Sequence, residues 1–182
     1  IKAINILYDG TVSNMNLEAL NCGVVAGIMK AGNPDVNMVS APVIAQERGI
    51  KISTTHQNKP GVFDAYIKVT VVTQKQERSV AGTVFSDGKP RFIQIKGINV
   101  DAEIGRYMLY TTNNDIPGII GLLGSKLGEN GVNIANFTLG RAEAGGEAIA
   151  LLYVDEPIAD FVLTELSATE KFIQVKRLEF DV

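Results

Sequence analysis

The apolar residues of the first half of the chain fall in short runs that predict strands, separated by two helical segments. A strand that starts within three residues of Ile1 suggests that the chain is part of a longer polypeptide. The sequence Asp87-Gly88 is a strong signal for a tight hairpin between the last two strands. We expect a polar turn at residues 56–61. The predicted strands cover residues 3–8, 50–55, 62–73, 79–86 and 91–96, and the predicted helices cover about 15–30 and 42–49.

The second half predicts four strands and two helices in the order βαββαβ, which is the ferredoxin-like arrangement. Residues 97–103 read as a short polar connection, so we place a domain boundary there, with domains at 1–101 and 102–182. The predicted class is α+β, with two small α/β-sandwich domains. The predicted strands of the second domain are 107–112, 133–143, 147–154 and 172–180, and its predicted helices are 117–129 and 158–166.

Polar side chains occupy the strand ends on either side of the helix predicted at 117–129. Asp115 is placed to cap this helix, with Pro117 in its first turn, where no backbone N–H is needed. Gly131 stands where a left-handed residue ends a helix, and Asn133 opens the next strand. We expect Asn113, Asp115 and Asn133 to converge. A helix N-terminus favours a carboxylate and an aspartate favours an ammonium, so the group suits both poles of a small zwitterion.

Each of these residues also has a purely structural interpretation. Asp115 could act only as a helix cap, and Asn113 and Asn133 could be turn residues. Because they occur together at strand ends, they favour the binding of a small ligand over these structural roles. Three helical glycines, Gly121, Gly124 and Gly128, share one face, and without a preceding Gly-x-Gly they indicate a close packing contact within or between chains rather than nucleotide binding.

Composition narrows the function. The chain has 182 residues, 46% of them hydrophobic and 20% charged, which describes a folded protein. A net charge of -3 without a basic cluster argues against nucleic acid as a partner, and no apolar run suggests a membrane span or signal peptide. The single cysteine, Cys22, fits a buried apolar role in a reducing, cytoplasmic setting. His56, the single histidine, has no orienting partner in the sequence, so we predict no catalytic or metal site.

Several motifs together resemble a known family. The second half resembles an ACT regulatory domain, most of all the serine-sensing one of D-3-phosphoglycerate dehydrogenases, through Asn113-x-Asp115-x-Pro117-Gly118, Gly131-Val132-Asn133-Ile134 and the strand at 147–155. The first half is similar to the intervening, allosteric substrate-binding domain of the longer form of that enzyme. The residues that carry this second likeness are Val36-Asn37-Met38-Val39-Ser40-Ala41-Pro42, Glu47-Arg48-Gly49-Ile50, Gly82-Thr83-Val84 and Ile95-Lys96-Gly97-Ile98.

The resemblance implies an enzyme that oxidises 3-phosphoglycerate with NAD and is inhibited by L-serine at paired ACT domains. This chain has no dinucleotide fingerprint and no match to the dehydrogenase's catalytic histidine, so it reads as the regulatory portion, with NAD belonging to the parent enzyme. The resemblance also implies a homo-oligomer. The serine ligands that it implies are Asn113, Asp115, Ile116, Pro117, Gly118, Asn133 and Ile134.

A second, anionic site is a weaker expectation. In some relatives the intervening domain binds a phosphorylated ligand through basic residues, and the candidates here are Lys89, Arg91, Lys96 and Arg106. Scattered surface charge is the competing interpretation. The rival functions are an ACT-bearing regulatory part of another amino-acid enzyme, such as an iron–sulfur serine dehydratase, and a stand-alone enzyme.

Overall fold

The computed structural model describes residues 1–59 and 61–181. The chain forms two compact units, Ile1–Val84 and Phe85–Val182. The sequence-based boundary lies later, after residue 101, and so assigns the segment 85–101 to the first half instead of the second. Both units combine helices with a sheet, which confirms the predicted α+β class.

The first unit contains a mixed sheet in the order β2-β1-β3-β4. Strand β1 pairs parallel with β2 and antiparallel with β3, which pairs antiparallel with β4. A 3-10 turn at Thr11–Asn14 leads from β1 towards the helices. The strands are β1 (Ala3–Gly10), β2 (Lys51–Gln57), β3 (Ala65–Val72) and β4 (Glu77–Val84), and the helices are α1 (Leu17–Lys30) and α2 (Ser40–Glu47).

The alternation along β1 explains how the first unit closes its core. Ile4, Ile6 and Tyr8 are almost completely buried and pack in one cluster with apolar residues of α1 and α2. The turn predicted at 56–61 is wrong at its start, because His56 lies in β2 opposite Tyr8. Pro60, also in that predicted turn, lies outside the described residues.

The second unit contains the predicted βαββαβ order, with sheet order β10-β7-β9-β8. Leu123 and Leu127 of α3 and Val162 and Leu166 of α4 are buried against one face of this sheet, in a cluster with Leu152 of β9. The ferredoxin-like prediction is therefore confirmed. The elements are β7 (Tyr107–Asn114), α3 (Ile119–Glu129), β8 (Ile134–Arg141), β9 (Glu147–Val154), α4 (Asp160–Ser167) and β10 (Phe172–Glu179).

A hairpin of β5 (Pro90–Ile95) and β6 (Ile98–Glu103) precedes β7. The prediction of a polar connection at 97–103 is therefore wrong. Lys96 and Gly97 form the tight turn, with φ of 54° and 83°, which is the conformation of a two-residue hairpin loop. Lysine rarely adopts a positive φ, so this turn carries no clear sequence signal.

The hairpin covers the sheet face opposite α3 and α4. Its apolar side chains pack against Met108 and Leu151, and Thr138 of β8 donates a 2.8 Å hydrogen bond to the Asp101 carbonyl. Gly140 lies so close to β6 that an added Cβ would stand 2.5 Å from the Asn99 carbonyl oxygen. The central strands of the second unit are thus covered on both faces.

We predict that Gly140→Ala destabilises the second unit by about 1–3 kcal/mol, because the added methyl group overpacks the contact between β8 and β6. Urea unfolding measures the loss, and amide exchange should locate it in β6 and β8. Gly27→Ala is the matched control, since Gly27 lies within α1 with nothing within 4 Å of an added Cβ. There alanine should raise stability by about 0.5–1 kcal/mol. Equal effects of both substitutions would contradict the close contact.

Candidate functional site

Strand β7 ends in a buried asparagine with an unsatisfied oxygen. Asn113 pairs in register with Ala148 of β9 and Phe172 of β10, and it is only 1% exposed. Its Nδ2 donates to the Asn114 carbonyl at 2.7 Å. Among the described residues its Oδ1 accepts no hydrogen bond. A buried oxygen left in this state costs about 1–3 kcal/mol, so it is a strong indicator of a missing donor.

The turn after β7 leaves the start of α3 without a side-chain cap. The predicted capping role of Asp115 is wrong, because the N-cap is Gly118, which has a φ of 90° and makes no side-chain cap bond. The helix begins at Ile119, two residues later than predicted. The first backbone N–H groups of α3 therefore remain available to an acceptor from outside the helix.

Asp115 instead contacts the turn between β8 and β9. Its Oδ2 accepts from Arg141 Nη1 at 3.0 Å and from the Gly145 N–H at 3.2 Å. The Arg141 guanidinium, followed by the Gly145 N–H, holds the pKa of the Asp115 carboxyl below its usual range. Asp115 is thus an ionised side chain, with 20% of its surface still exposed.

These residues surround a small pocket of about 160 Å³. That volume is smaller than a typical drug-sized site and suits a ligand of a few heavy atoms. On one side, Lys171 places Nζ 3.8 Å from where a Cβ of Gly118 would be. The pocket lining therefore includes the Asp115 carboxylate, and the Lys171 ammonium lies near Gly118, before the start of α3. Its lining residues are Asn113, Asp115, Ile116, Pro117, Gly118, Ile119, Ile120, Gly121 and Leu139.

Asn133 lies away from this pocket within one chain. Strands β7 and β8 both pair antiparallel with β9 and so run parallel to each other. The end of β7 and the start of β8 therefore lie at opposite ends of the sheet. The expected convergence is wrong for Asn133 within a single chain. Asn133 instead donates from Nδ2 to Asp155 at 2.6 Å, in an exposed position.

The four basic residues predicted to hold an anion are engaged elsewhere. Lys89 pairs with Glu103 at 2.6 Å, and Arg91 pairs with Asp87 at 2.9 Å. Lys96 forms an ion pair with Glu147, and Arg106 lies over the ring of Tyr107. An anion would have to compete with these carboxylates, and the site stays a prediction.

Sequence reasoning missed Arg141, Gly145, Lys171 and Leu139, because only the register and the turns bring them to the pocket end. A close packing contact of the α3 glycines was expected either within the chain or between chains. The contact within the chain is not formed, because nothing lies within 4 Å of a Cβ added at Gly121, Gly124 or Gly128. A contact between chains there stays a prediction.

Two features of the described residues bear on other functions. No group of three or more His, Cys, Asp and Glu side chains in residues 1–59 and 61–181 could hold a metal ion. Within the same residues, no helix is long and apolar enough to cross a membrane.

Comparison with known proteins identifies the family. Residues 1–96 match the D-3-phosphoglycerate dehydrogenase intervening domain. The chain belongs to this family. D-3-phosphoglycerate dehydrogenase of Bacillus subtilis is 30% identical over 98% of this chain and 34% of the relative, and that of Synechocystis is 32% identical over 92% and 30%. The chain thus spans about a third of the length of these dehydrogenases.

A relative named for a different activity is also similar to this chain along most of its own length. The probable L-serine dehydratase beta chain of Bacillus subtilis is 24% identical over 97% of this chain and 80% of the relative. Similarity over more than 90% of this chain is therefore found in relatives named for two different activities.

We predict that Asn113→Leu leaves the free energy of unfolding unchanged or raises it by about 1 kcal/mol, because it removes an unsatisfied buried oxygen. Urea unfolding of the unliganded chain provides the measurement. The control is Tyr8→Phe, which removes a buried hydroxyl that donates to Asn21 Oδ1 at 3.0 Å. That change should cost about 1 kcal/mol. If Asn113→Leu costs more than Tyr8→Phe, the Asn113 oxygen has a structural partner and is not kept for a ligand.

Proposed function

We propose that the second unit is an ACT domain that binds a small amino acid, L-serine in the first instance, and reports its presence to a catalytic part outside this sequence. The observation that carries the proposal is the unpartnered, buried Oδ1 of Asn113 at a pocket that also contains ionised Asp115. An asparagine oxygen and a carboxylate, both from residues that line one small pocket, suit an ammonium group, which has donors only.

The start of α3 suits the carboxylate. The uncapped N–H groups at the start of α3 and the nearby Lys171 ammonium both attract negative charge. The pocket volume of about 160 Å³ favours a short side chain. A serine hydroxyl, which both donates and accepts, matches the mixed donors and acceptors of the lining better than an apolar side chain does.

A second copy of the chain completes the site in this proposal. Strand β8 is an edge of the sheet, and Ile120, Leu139 and Ile116 leave apolar surface exposed at the pocket. Two-fold pairing of β8 with β8 would be antiparallel. The start of one β8 would then lie beside the end of the other, and Asn133 and Ile134 of the second copy would reach the pocket.

We predict that the chain binds L-serine and that Asp115→Asn weakens the binding at least about tenfold, because the ammonium loses its ionic partner. Asn113→Leu should weaken it as well without loss of stability. Isothermal titration calorimetry measures these affinities. Glu47→Gln is the control, because Glu47 is an exposed carboxylate at the end of α2 in the first unit, outside the proposed site, and this variant should bind as wild type does. Absence of binding by the wild-type chain would overturn the proposal.

A mixing experiment tests whether the site is shared. Asn133→Ala should weaken serine binding by about 1–3 kcal/mol if it leaves a partner unsatisfied. When the Asn133→Ala and Asp115→Asn chains are mixed and allowed to exchange, roughly one site in four should regain wild-type affinity, because each mixed dimer contains one intact site.

The control is a mixture of Asn133→Ala with the double variant Asn133→Ala, Asp115→Asn, in which no intact site can form. Sedimentation analysis must show dimers in each mixture. Dimers without recovery of binding would mean that Asp115 of one chain and Asn133 of the other do not form one site, and a strict monomer would remove the shared site altogether.

For the parent enzyme, we propose NAD-dependent oxidation of 3-phosphoglycerate under feedback inhibition by L-serine. The similarity to two dehydrogenases over more than 90% of this chain supports it. The second candidate is a regulatory role in an L-serine dehydratase, which the match to its beta chain favours. Assays of the full-length gene product for serine-inhibited oxidation of 3-phosphoglycerate and for serine deamination distinguish the two.

A further inference from the structure

Arg141 is the charged side chain that contacts Asp115 most directly. It extends from the last residue of β8, and Asn113 and Arg141 pair in register with the same residue of β9, Ala148. This shared register places both residues at the pocket end of the sheet. The ion pair between Arg141 Nη1 and Asp115 Oδ2, at 3.0 Å, bridges β8 and the turn after β7.

Both donors to Asp115 use the same carboxylate oxygen. Arg141 Nη1 and the Gly145 N–H both contact Oδ2, and among the described residues no donor is recorded for Oδ1. A carboxylate has two oxygens and about four acceptor positions, so binding at one oxygen fixes the group and leaves the other free. Asp115 lines the pocket, and Oδ1 keeps its acceptor positions for a further donor.

We propose that Arg141 is a positioning residue that holds Asp115 by Oδ2, so that Oδ1 is presented to the ammonium of the amino-acid ligand. This inference rests on the proposed function of the pocket. It differs from a ligand role for Arg141 itself, because the guanidinium acts through Asp115. It also differs from a model in which Arg141 and the ligand ammonium compete for the Asp115 carboxylate, because Arg141 would then have to leave Asp115 before the ammonium could bind.

The electrostatic surroundings make Arg141 the dominant influence on Asp115. Glu143 lies in the same turn against Gly146, and Lys171 lies on the far side beside Gly118. Glu147 is on the opposite sheet face, where it pairs with Lys96. The hydrogen bond from Arg141 is the largest cause of the lowered Asp115 pKa, so without Arg141 this pKa should rise towards the ordinary aspartate range.

Serine binding should depend on pH through the ionisation of Asp115. Only ionised Asp115 binds an ammonium, so serine binding is present above the Asp115 pKa and is lost as the pH falls through it. In Arg141→Gln the pKa is higher, and the acid loss of binding should begin at a higher pH. At neutral pH the same variant should bind L-serine about tenfold more weakly, because Asp115 is no longer oriented. Arg141→Lys, which keeps the charge, should recover part of this affinity.

The experiment combines two measurements on the whole chain. Calorimetric titration with L-serine across acidic to neutral pH compares wild type, Arg141→Gln and Arg141→Lys. Carbon NMR of the Asp115 carboxyl gives its pKa in each protein without ligand. The expected result is weaker binding, an acid limb at higher pH and a raised Asp115 pKa in Arg141→Gln, with Arg141→Lys between it and wild type.

The remaining outcomes separate failure of this inference from failure of the proposed function. Unchanged serine affinity and an unchanged acid limb in Arg141→Gln would overturn the inference while leaving the proposed function intact. Tighter binding in Arg141→Gln would overturn it in favour of competition. If the wild-type chain binds no serine, the proposed function fails. The NMR titration then still decides the positioning claim, because an unchanged Asp115 pKa in Arg141→Gln would overturn it.

Discussion

Burial of strand β9 on both faces is the constraint on which the second unit depends. Residues Ala148 to Leu152 are at most 1% exposed, so this strand is covered by α3 and α4 on one face and by the β5–β6 hairpin on the other. A strand buried on both faces cannot shift its register by one residue without moving every side chain to the wrong layer. That fixed register aligns Asn113 of β7 and Arg141 of β8 on Ala148, and the pocket follows from this alignment.

Asn113 at the pocket end of the sheet lowers the stability of the second unit, as do the unsatisfied hydroxyls of Thr111 and Thr112 just before it in β7. The surrounding core is apolar and packed, whereas Asn113 leaves a buried oxygen unsatisfied beside it. Folding alone gains only the hydrogen bond from Asn113 Nδ2 to the Asn114 carbonyl, and an apolar side chain of similar size would fill the position without leaving an oxygen unsatisfied. Gly118 adds to this pattern, since its left-handed backbone leaves α3 uncapped by any side chain. Local choices that oppose stability and cluster at one pocket are typical of a binding site.

The motif at 113–118 could be predicted from the sequence, because its polar residues follow a strand and precede a helix with a clear apolar face. The geometry of this motif could be predicted only in part. Asp115 has the right spacing for a cap, yet the extra turn at Gly118 and the attraction of Arg141 take it to the β8–β9 turn. Arg141 gave no signal of its own, because an arginine at the end of an edge strand looks like ordinary surface charge.

Two further errors have topological causes. Asn133 follows Asn113 closely in sequence, but one helical crossover makes β7 and β8 parallel and separates the two residues by the length of the sheet. Strand β6 was missed because Lys96, not a second glycine or asparagine, takes the first positive φ of its turn. Neither pairing topology nor a strained lysine can be deduced from local residue patterns.

Strand β8 links the pocket to the hairpin through its alternating side chains. Leu139 lines the pocket and Arg141 holds Asp115, while Thr138 donates to the Asp101 carbonyl of β6 and Gly140 lies directly against β6. A displacement of β8 caused at the pocket must therefore be accommodated at the hairpin, because Gly140 leaves no slack there. The coupling is reciprocal, since a hairpin that resists the displacement also lowers the affinity for the ligand. In the proposed dimer, the edge strand that pairs with the second copy would thus also carry the contacts by which a bound ligand acts on the β5–β6 hairpin, outside the βαββαβ fold.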